Sequence, residues 1–368
     1  MLIGVLMLFL TKANGTKLDF CSRNIWSVVV IILSNAFILY KNESMGISYP
    51  LYFCLPLSII IFLNSKDRMT CLLYISKWFA FLMVPCLLVY LLVQIFGLPS
   101  LGTLLVNDDP ALSFSYVTRE NYFFYNYTDY YEIRFNGPFI EPGHLGMMAS
   151  FLLYATGFDL KKKETWMILV AVLFTLSLSG YVLTFLAYLF MKYQKGEISM
   201  KFIMMFGILI LTSYLLAIFY NDGENMVNEM IVSRLEPDEE KGFSGNNRVF
   251  GQIDLYFAAM FTDTDLLLTG YDKNTIEALA LSGSRGTGFT MWMVQHGLIG
   301  LAMAMLFYLV YWVSGKQRKQ SFLFVIYVIL MFWQRSYPFW FSWIICYVYG
   351  ITLLENHVFK KELRRIRK

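Results

Sequence analysis

The sequence predicts an all-α fold, a polytopic integral membrane helical bundle of about ten or eleven transmembrane or half-spanning helices with two large extracytoplasmic loops. Three observations predict it. Of the 368 residues, 57% are hydrophobic and only 15% charged, with a mean hydropathy of +0.54, whereas a water-soluble domain carries about 25% charged residues. The apolar residues gather into runs close to the length that crosses a bilayer. No ten-residue alternation of the outer-membrane barrel kind occurs, so runs whose backbone must be satisfied within lipid are helices.

The elements follow in chain order. MLIGVLMLFL, over about 2–10, lacks a basic leader and a small-residue cleavage site and reads as a short helix, not a signal peptide. Runs at 25–40, 46–63 and 72–97 complete an N-terminal group over 1–97, and residues 98–144 form the first extracytoplasmic loop. A central group over 145–220 holds runs at 145–158 and 202–220. Between them, Trp166 to Met191 is long enough for one tilted span, yet lysines flank both ends: Lys161 to Lys163 before it, Lys192, Lys195 and Lys201 after it. Flanks on one side require the chain to turn back, and SLSGY at Ser177 to Tyr181 is the expected turn between two short helices. Residues 221–288 form the second loop. The C-terminal group over 289–355 contains a run at 289–313, a short helix at 322–333 and a last run at 338–355, the latter two divided at QRSYP because Pro338 lacks the backbone donor a helix needs. A basic tail, 356–368, closes the chain.

Charge sets the orientation. With KKELRRIRK on the cytoplasmic side, 21 of the 30 basic residues lie inside and 9 outside, while the acids divide 7 inside and 19 outside. That is the positive-inside pattern, and it puts both long loops on the outer face. The tail's bases sit on anionic lipid headgroups or act as a plain stop-transfer anchor. The five cysteines avoid both long loops and form no CxxC pair, which argues against a disulfide framework and a thiolate metal site. No internal repeat, low-complexity tract or separate soluble domain is evident.

The two loops hold the candidate chemistry. In the first, the aromatic cluster YFFYNYTDYY at Tyr122 to Tyr131 suits stacking on the apolar C–H faces of sugars, with Tyr130 the candidate substrate contact. An interfacial aromatic belt is the alternative. The loop closes as RFNGPFIEPGHLG, crowding Arg134, Glu141 and His144 at a helix entrance, where unpaired N–H groups and a positive dipole end attract anions. The second loop carries 12 acids and 5 bases, a balance that excludes a nucleic-acid or polyanion groove. Three arginines stand out against it: Arg234 in VSRLEP, Arg248 in SGNNRVFG and Arg285 in SGSRGTG. A guanidinium grips phosphate oxygens as a bidentate fork, and adjacent glycines let backbone approach a ligand closely. A structural ion pair is the alternative for each. His296, in TMWMVQHGLIGL, is either a proton acceptor at the edge of an apolar span or an interfacial histidine without chemistry. Arg335, beside Pro338, is a further candidate anion contact. Lys77 and Glu355 are expected to snorkel, and DTD at Asp263 to Asp265 reads as a solvated acid pair instead of a metal motif.

This order of features resembles the O-antigen ligase and polymerase superfamily of bacterial polysaccharide assembly. The resemblance is carried by RFNGPFIEPGHLGMMAS, the paired short helices around LSLSG, NNRVFGQIDLYFAAM, LLLTGYD and QHGLIGLAMA, and covers most of residues 130–313. Arg248 and Gly270 match its arginine and following glycine-bearing turn, and His296 with Gly297 and Gly300 its histidine-glycine helix entry. One departure is the absence of the arginine that follows serine in many such proteins; here the string is Ser179, Gly180, Tyr181. Gly297 also leans away from a ligase, which usually has a polar residue there.

The resemblance implies a polysaccharide polymerase in the bacterial cytoplasmic membrane, joining undecaprenyl-pyrophosphate-linked repeat units at the outer face by inverting glycosyl transfer. Arg248 and Arg285 would stabilise the departing diphosphate, and His296, with Glu141 the runner-up, would act as base. Arg134 and Arg234 would hold the acceptor's pyrophosphate or share the first role. Since the donor is already activated, neither a cofactor nor a metal is needed. Expected partners are the lipid-linked donor and acceptor glycans, membrane lipids, a flippase and a chain-length regulator, with no nucleic acid. A ligase is the nearest rival function. A lipid-linked oligosaccharide flippase or transporter is the rival of another class, and would show broken helices with polar residues near the midplane.

Overall fold

A computed structural model of the chain describes residues 18–41, 48–107, 116–122, 125–127, 133–197, 200–225, 228–233, 237–238, 242–243, 252–282 and 286–366. The short helix expected at 2–10 lies outside the described residues. The described chain is all-α with only minor strands. In order, the helices are α1 (Ser22–Lys41), α2 (Ser48–Phe62), α3 (Ser65–Phe96), α4 (Pro142–Ala155), α5 (Lys163–Phe174), α6 (Leu178–Lys195), α7 (Met200–Phe219), α8 (Ile253–Ala259), α9 (Thr264–Thr269), α10 (Lys273–Leu281), α11 (Gly288–Val313), α12 (Arg318–Gln334) and α13 (Phe341–Ile366). Among the described residues, α1, α3 and α11 are long and apolar enough to cross a membrane, which suggests a membrane protein.

The expected breaks have clear causes. Between α5 and α6 the chain turns at Thr175–Ser177, slightly ahead of the expected SLSGY, because Ser177 caps α6 by accepting from the Gly180 N–H at 3.3 Å and Leu178 to Tyr181 already form its first turn. Between α12 and α13 the backbone leaves the helix at Arg335, and the Tyr308 hydroxyl of α11 donates to the Pro338 carbonyl. The two stretches read as loops are more ordered than expected. The first contains an antiparallel sheet of β1 (Thr103–Asn107), β2 (Tyr116–Asn121) and β3 (Asn126–Tyr127), with Leu104 opposite Arg119. The second contains a two-stranded pair, β4 (Pro237–Asp238) and β5 (Gly242–Phe243), followed by α8, α9 and α10.

The chain divides into two units. One comprises residues 1–75 and 250–368, the other 76–249, so α3 contributes to both. In the first, α1 packs along α11, and α8 to α10 cover the opening half of α11 through a cluster of Ile253, Met260, Leu279 and Val294. A buried polar network ties one end of this unit together. Arg23 of α1 pairs with Glu355 of α13 at 3.0 Å, donates Nε to the Tyr311 carbonyl at 2.7 Å and lies over the Tyr311 ring. Arg68 is buried and donates to Tyr311 Oη at 2.8 Å, to Asn24 Oδ1 at 2.9 Å and to the Ile61 carbonyl. Glu355 therefore does not snorkel: a guanidinium beside it and the Lys316 N–H at 3.0 Å hold the carboxylate inside. Lys77 is exposed.

In the second unit α4 and α6 form the most extensive helix pair, and they cross on two glycines. A Cβ on Gly146 would lie 2.9 Å from the Gly180 Cα, and one on Gly180 would lie 3.0 Å from the Gly146 Cα. Small residues at such a crossing let the two backbones approach closely. The core alongside gathers Met83, Cys86, Leu87 and Tyr90 of α3 with Tyr122, Tyr125, Phe135 and Leu145.

Candidate functional site

Helix α11 is interrupted at Gly297, whose φ of 62° and ψ of −167° no side-chain-bearing residue adopts readily. The interruption exists because another backbone crosses there. Gly270, the C-cap of α9 with φ 76°, lies so close that a Cβ on it would stand 2.7 Å from the His296 nitrogen. A Cβ on Gly297 would in turn stand 2.4 Å from the Leu268 carbonyl oxygen. The crossing repairs part of the broken ladder, since the Tyr271 N–H donates to the Val294 carbonyl at 2.9 Å. The motifs LLLTGYD and QHGLIGLAMA thus meet at one crossing.

Polar side chains collect around this break. His296 is 7% exposed, its ring 4.3 Å from that of Trp292, and its Nδ1 is buried without a hydrogen-bond partner. Lys41, the last residue of α1, donates Nζ to the Gly270 carbonyl at 3.2 Å, and its charge acts on His296. Asp272 is the carboxylate that acts on Lys41. It opens α10: the Thr275 N–H at 3.1 Å and hydroxyl at 2.8 Å hold its carboxyl below the ordinary value of 3.8. Burial raises the neighbouring Tyr271 phenol, which donates to the Tyr256 carbonyl at 3.0 Å. The arrangement offers an imidazole for proton transfer, a fixed ammonium and a fixed carboxylate.

Arg335 stands at the N-terminal end of α11. A Cβ on Gly288 would come within 2.4 Å of the Arg335 backbone, two helical turns before His296, or about 12 Å along the axis. In the other unit, Glu141 occupies the N-cap of α4 without a side-chain capping bond, and Pro142 follows it as the first helical residue. Arg134 donates Nε to the Thr175 carbonyl at 3.2 Å, placing a cation at the C-terminal end of α5, where the helix dipole favours it. His144 is buried. Arg234, Arg248, Arg285 and Tyr130 lie outside the described residues.

Two sequence readings are corrected. Tyr122 and Tyr125 neither stack on sugars nor form a belt; they are 7% and 1% exposed and pack under α3, Tyr125 stacking on Phe135. Glu355 is a half-buried ion-pair partner, as described above. The reading of Asp263 to Asp265 as a solvated acid pair agrees with the exposure of both carboxylates, and Asp263 in addition caps α9, accepting from the Asp265 and Leu266 N–H groups at 2.9 and 3.2 Å. Sequence reasoning missed Lys41, Asp272 and Arg119. Arg119 is 2% exposed on β2 and donates to the Ile140 carbonyl. The signal for Lys41 was available: it is a lone cation at the end of an apolar run, away from the basic clusters. Compared with known proteins, the chain matches no family model, no curated protein and no solved structure.

Proposed function

We propose that the protein is a polysaccharide polymerase of the bacterial cytoplasmic membrane, a polytopic bundle whose two long inter-helical segments face outward. It joins undecaprenyl-pyrophosphate-linked repeat units. An acceptor hydroxyl oxygen attacks the donor's anomeric carbon, the carbon–oxygen bond to diphosphate breaks, and its electron pair leaves with the lipid diphosphate. The hydroxyl proton passes to His296, with Glu141 the alternative base. Arg248 and Arg285 neutralise the departing diphosphate, with Arg134, Arg234 and Arg335 as further anion contacts. A positioned base of this kind contributes about 10²- to 10⁴-fold.

The observation that carries this reading is the meeting of Gly270 and His296. The sequence singled them out separately, and they form one crossing lined by a buried imidazole. A second support is the turn at Thr175–Ser177. It precedes Ser179–Tyr181, the string that lacks an arginine, and it receives Arg134 from elsewhere in the chain. The test is a deletion strain complemented with Arg248→Ala and Arg248→Lys. Both variants are expected to insert normally yet leave single repeat units unpolymerised, because lysine cannot reproduce the bidentate fork. Normal-length polymer from both would overturn the assignment.

A second reading gains from the break at Gly297. A discontinuous helix with buried polar groups is a feature of lipid-linked oligosaccharide flippases and other transporters. The same deletion strain separates the two: a missing polymerase leaves single units displayed outside, whereas a missing flippase traps them inside.

A further inference from the structure

The opening half of α11 presents three polar side chains at i, i+3 and i+4, a spacing that sets them on one helix face. They are Trp292, Gln295 and His296, exposed by 6%, 8% and 7%. Each carries a buried polar atom that no group among the described residues satisfies: the indole Nε1, the amide Nε2 and the imidazole Nδ1. Buried polar atoms are nearly always paired, so three unpaired ones on a single face call for a cause. They are not scattered through a core. All three fall within the six residues that end at the Gly297 break, and the Trp292 ring lies 4.3 Å from His296, 5.9 Å from Phe332 and 6.2 Å from Phe339.

The chemistry of the three atoms limits what can meet them. An indole N–H only donates, the amide nitrogen only donates, and the imidazole can accept a proton. Their complement is a molecule with several acceptor oxygens and at least one transferable hydroxyl proton. A phosphate group fits poorly, because neutral donors leave a buried anion's charge uncompensated and the nearby ammonium of Lys41 is engaged on the Gly270 carbonyl. A neutral sugar ring fits well. It offers adjacent oxygens to the donors and an apolar C–H face to the aromatic rings.

We infer that Trp292, Gln295 and His296 form the recognition site for the terminal neutral sugar of the acceptor glycan, with the indole and amide as specificity-determining donors beside the base. This rests on the polymerase reading of the same site. The donors orient the ring so that one hydroxyl faces the imidazole.

The test uses the full-length protein and the deletion strain. Gln295→Met keeps side-chain volume and removes the amide; Trp292→Phe keeps an aromatic face and removes the N–H. Removing an unpaired buried donor relieves the folded state, so Gln295→Met is expected to raise the thermal midpoint of the detergent-purified protein by roughly 2 °C or more. Both variants are expected to lower the polymerisation rate by roughly five- to tenfold at normal membrane abundance. A fall in the midpoint for Gln295→Met means the amide has a partner within the protein, which overturns the inference. Parental polymerisation rates in both variants overturn it as well. If deletion of the gene leaves polymer unchanged, the polymerase reading fails instead, and the midpoint of Gln295→Met then decides alone whether the amide is held for a ligand.

Discussion

Gly297 and Gly270 hold the crossing together, and the reason is steric at both positions. Gly297→Ala combines a backbone region costing about 1–3 kcal/mol with a Cβ only 2.4 Å from the Leu268 oxygen. It is expected to lower the thermal midpoint by roughly 4 °C or more, measured on purified protein; an unchanged midpoint would show that the crossing can relax. Asp272 gives a pH prediction of definite sign. Its carboxyl is held below its ordinary value of 3.8 by Thr275, so its cap of α10 is complete above that value and is lost as pH falls through the lower folded one. Hydrogen exchange of α10 is expected to rise only below about pH 4 in the parent, and at higher pH in Thr275→Val. His296 and Gly270 were legible in the sequence because each sits in a short pattern with a physical purpose. Tyr122 and Tyr125 were misread because aromatic density says nothing about which way a ring faces, and here a three-stranded sheet turns both inward. Arg248 and Arg285, the residues on which the proposed chemistry leans most, rest on sequence alone.

Helices and their breaks were legible wherever the cause is local. Pro338 ends one run, the serine cap at Ser177 starts another, and a span of apolar residues needs no distant partner to be helical. Helices α8 to α10 were hard to read from the residues themselves, beyond the helix that the resemblance places between Arg248 and Gly270, for the opposite reason. They run six to nine residues, below the length at which an isolated helix is stable in water, and exist because Ile253, Met260 and Leu279 dock on Val294 of α11. The link between α1 and α13 was equally hidden. Breaking the Arg23–Glu355 pair, whose side chains are 12% and 14% exposed, leaves a charge without compensation, at a cost of about 3–5 kcal/mol for Glu355→Ala. Replacing both residues with methionine is expected to cost less than the single change. Denaturation midpoints of the three proteins check this, and a double variant less stable than Glu355→Ala would refute it.

At the scale of the whole molecule, the all-α class and the apolar helices followed from composition, because lipid leaves the backbone few alternatives. The orientation proposed from charge gives its own test. In a variant with all five native cysteines changed to alanine, Glu224→Cys is expected to react with an impermeant maleimide added to intact cells. Lys161→Cys should react only after the cells are opened. Both positions are exposed in the structure, so reach to the thiol is not limiting. The reverse pattern would invert the topology and remove the proposed outer-face chemistry. The division into two units was not legible at all, since no local pattern records that residues 1–75 associate with 250–368.

That division has a consequence for biosynthesis. Arg23 and Glu355 are 332 positions apart, and ribosomes add about 5–20 residues per second. The first helix therefore waits roughly 15 to 70 seconds for the counterion that neutralises it, while unit 76–249, uninterrupted along the chain, emerges in the meantime. During that interval a guanidinium destined for the interior has to be sheltered by headgroups or by the insertion machinery.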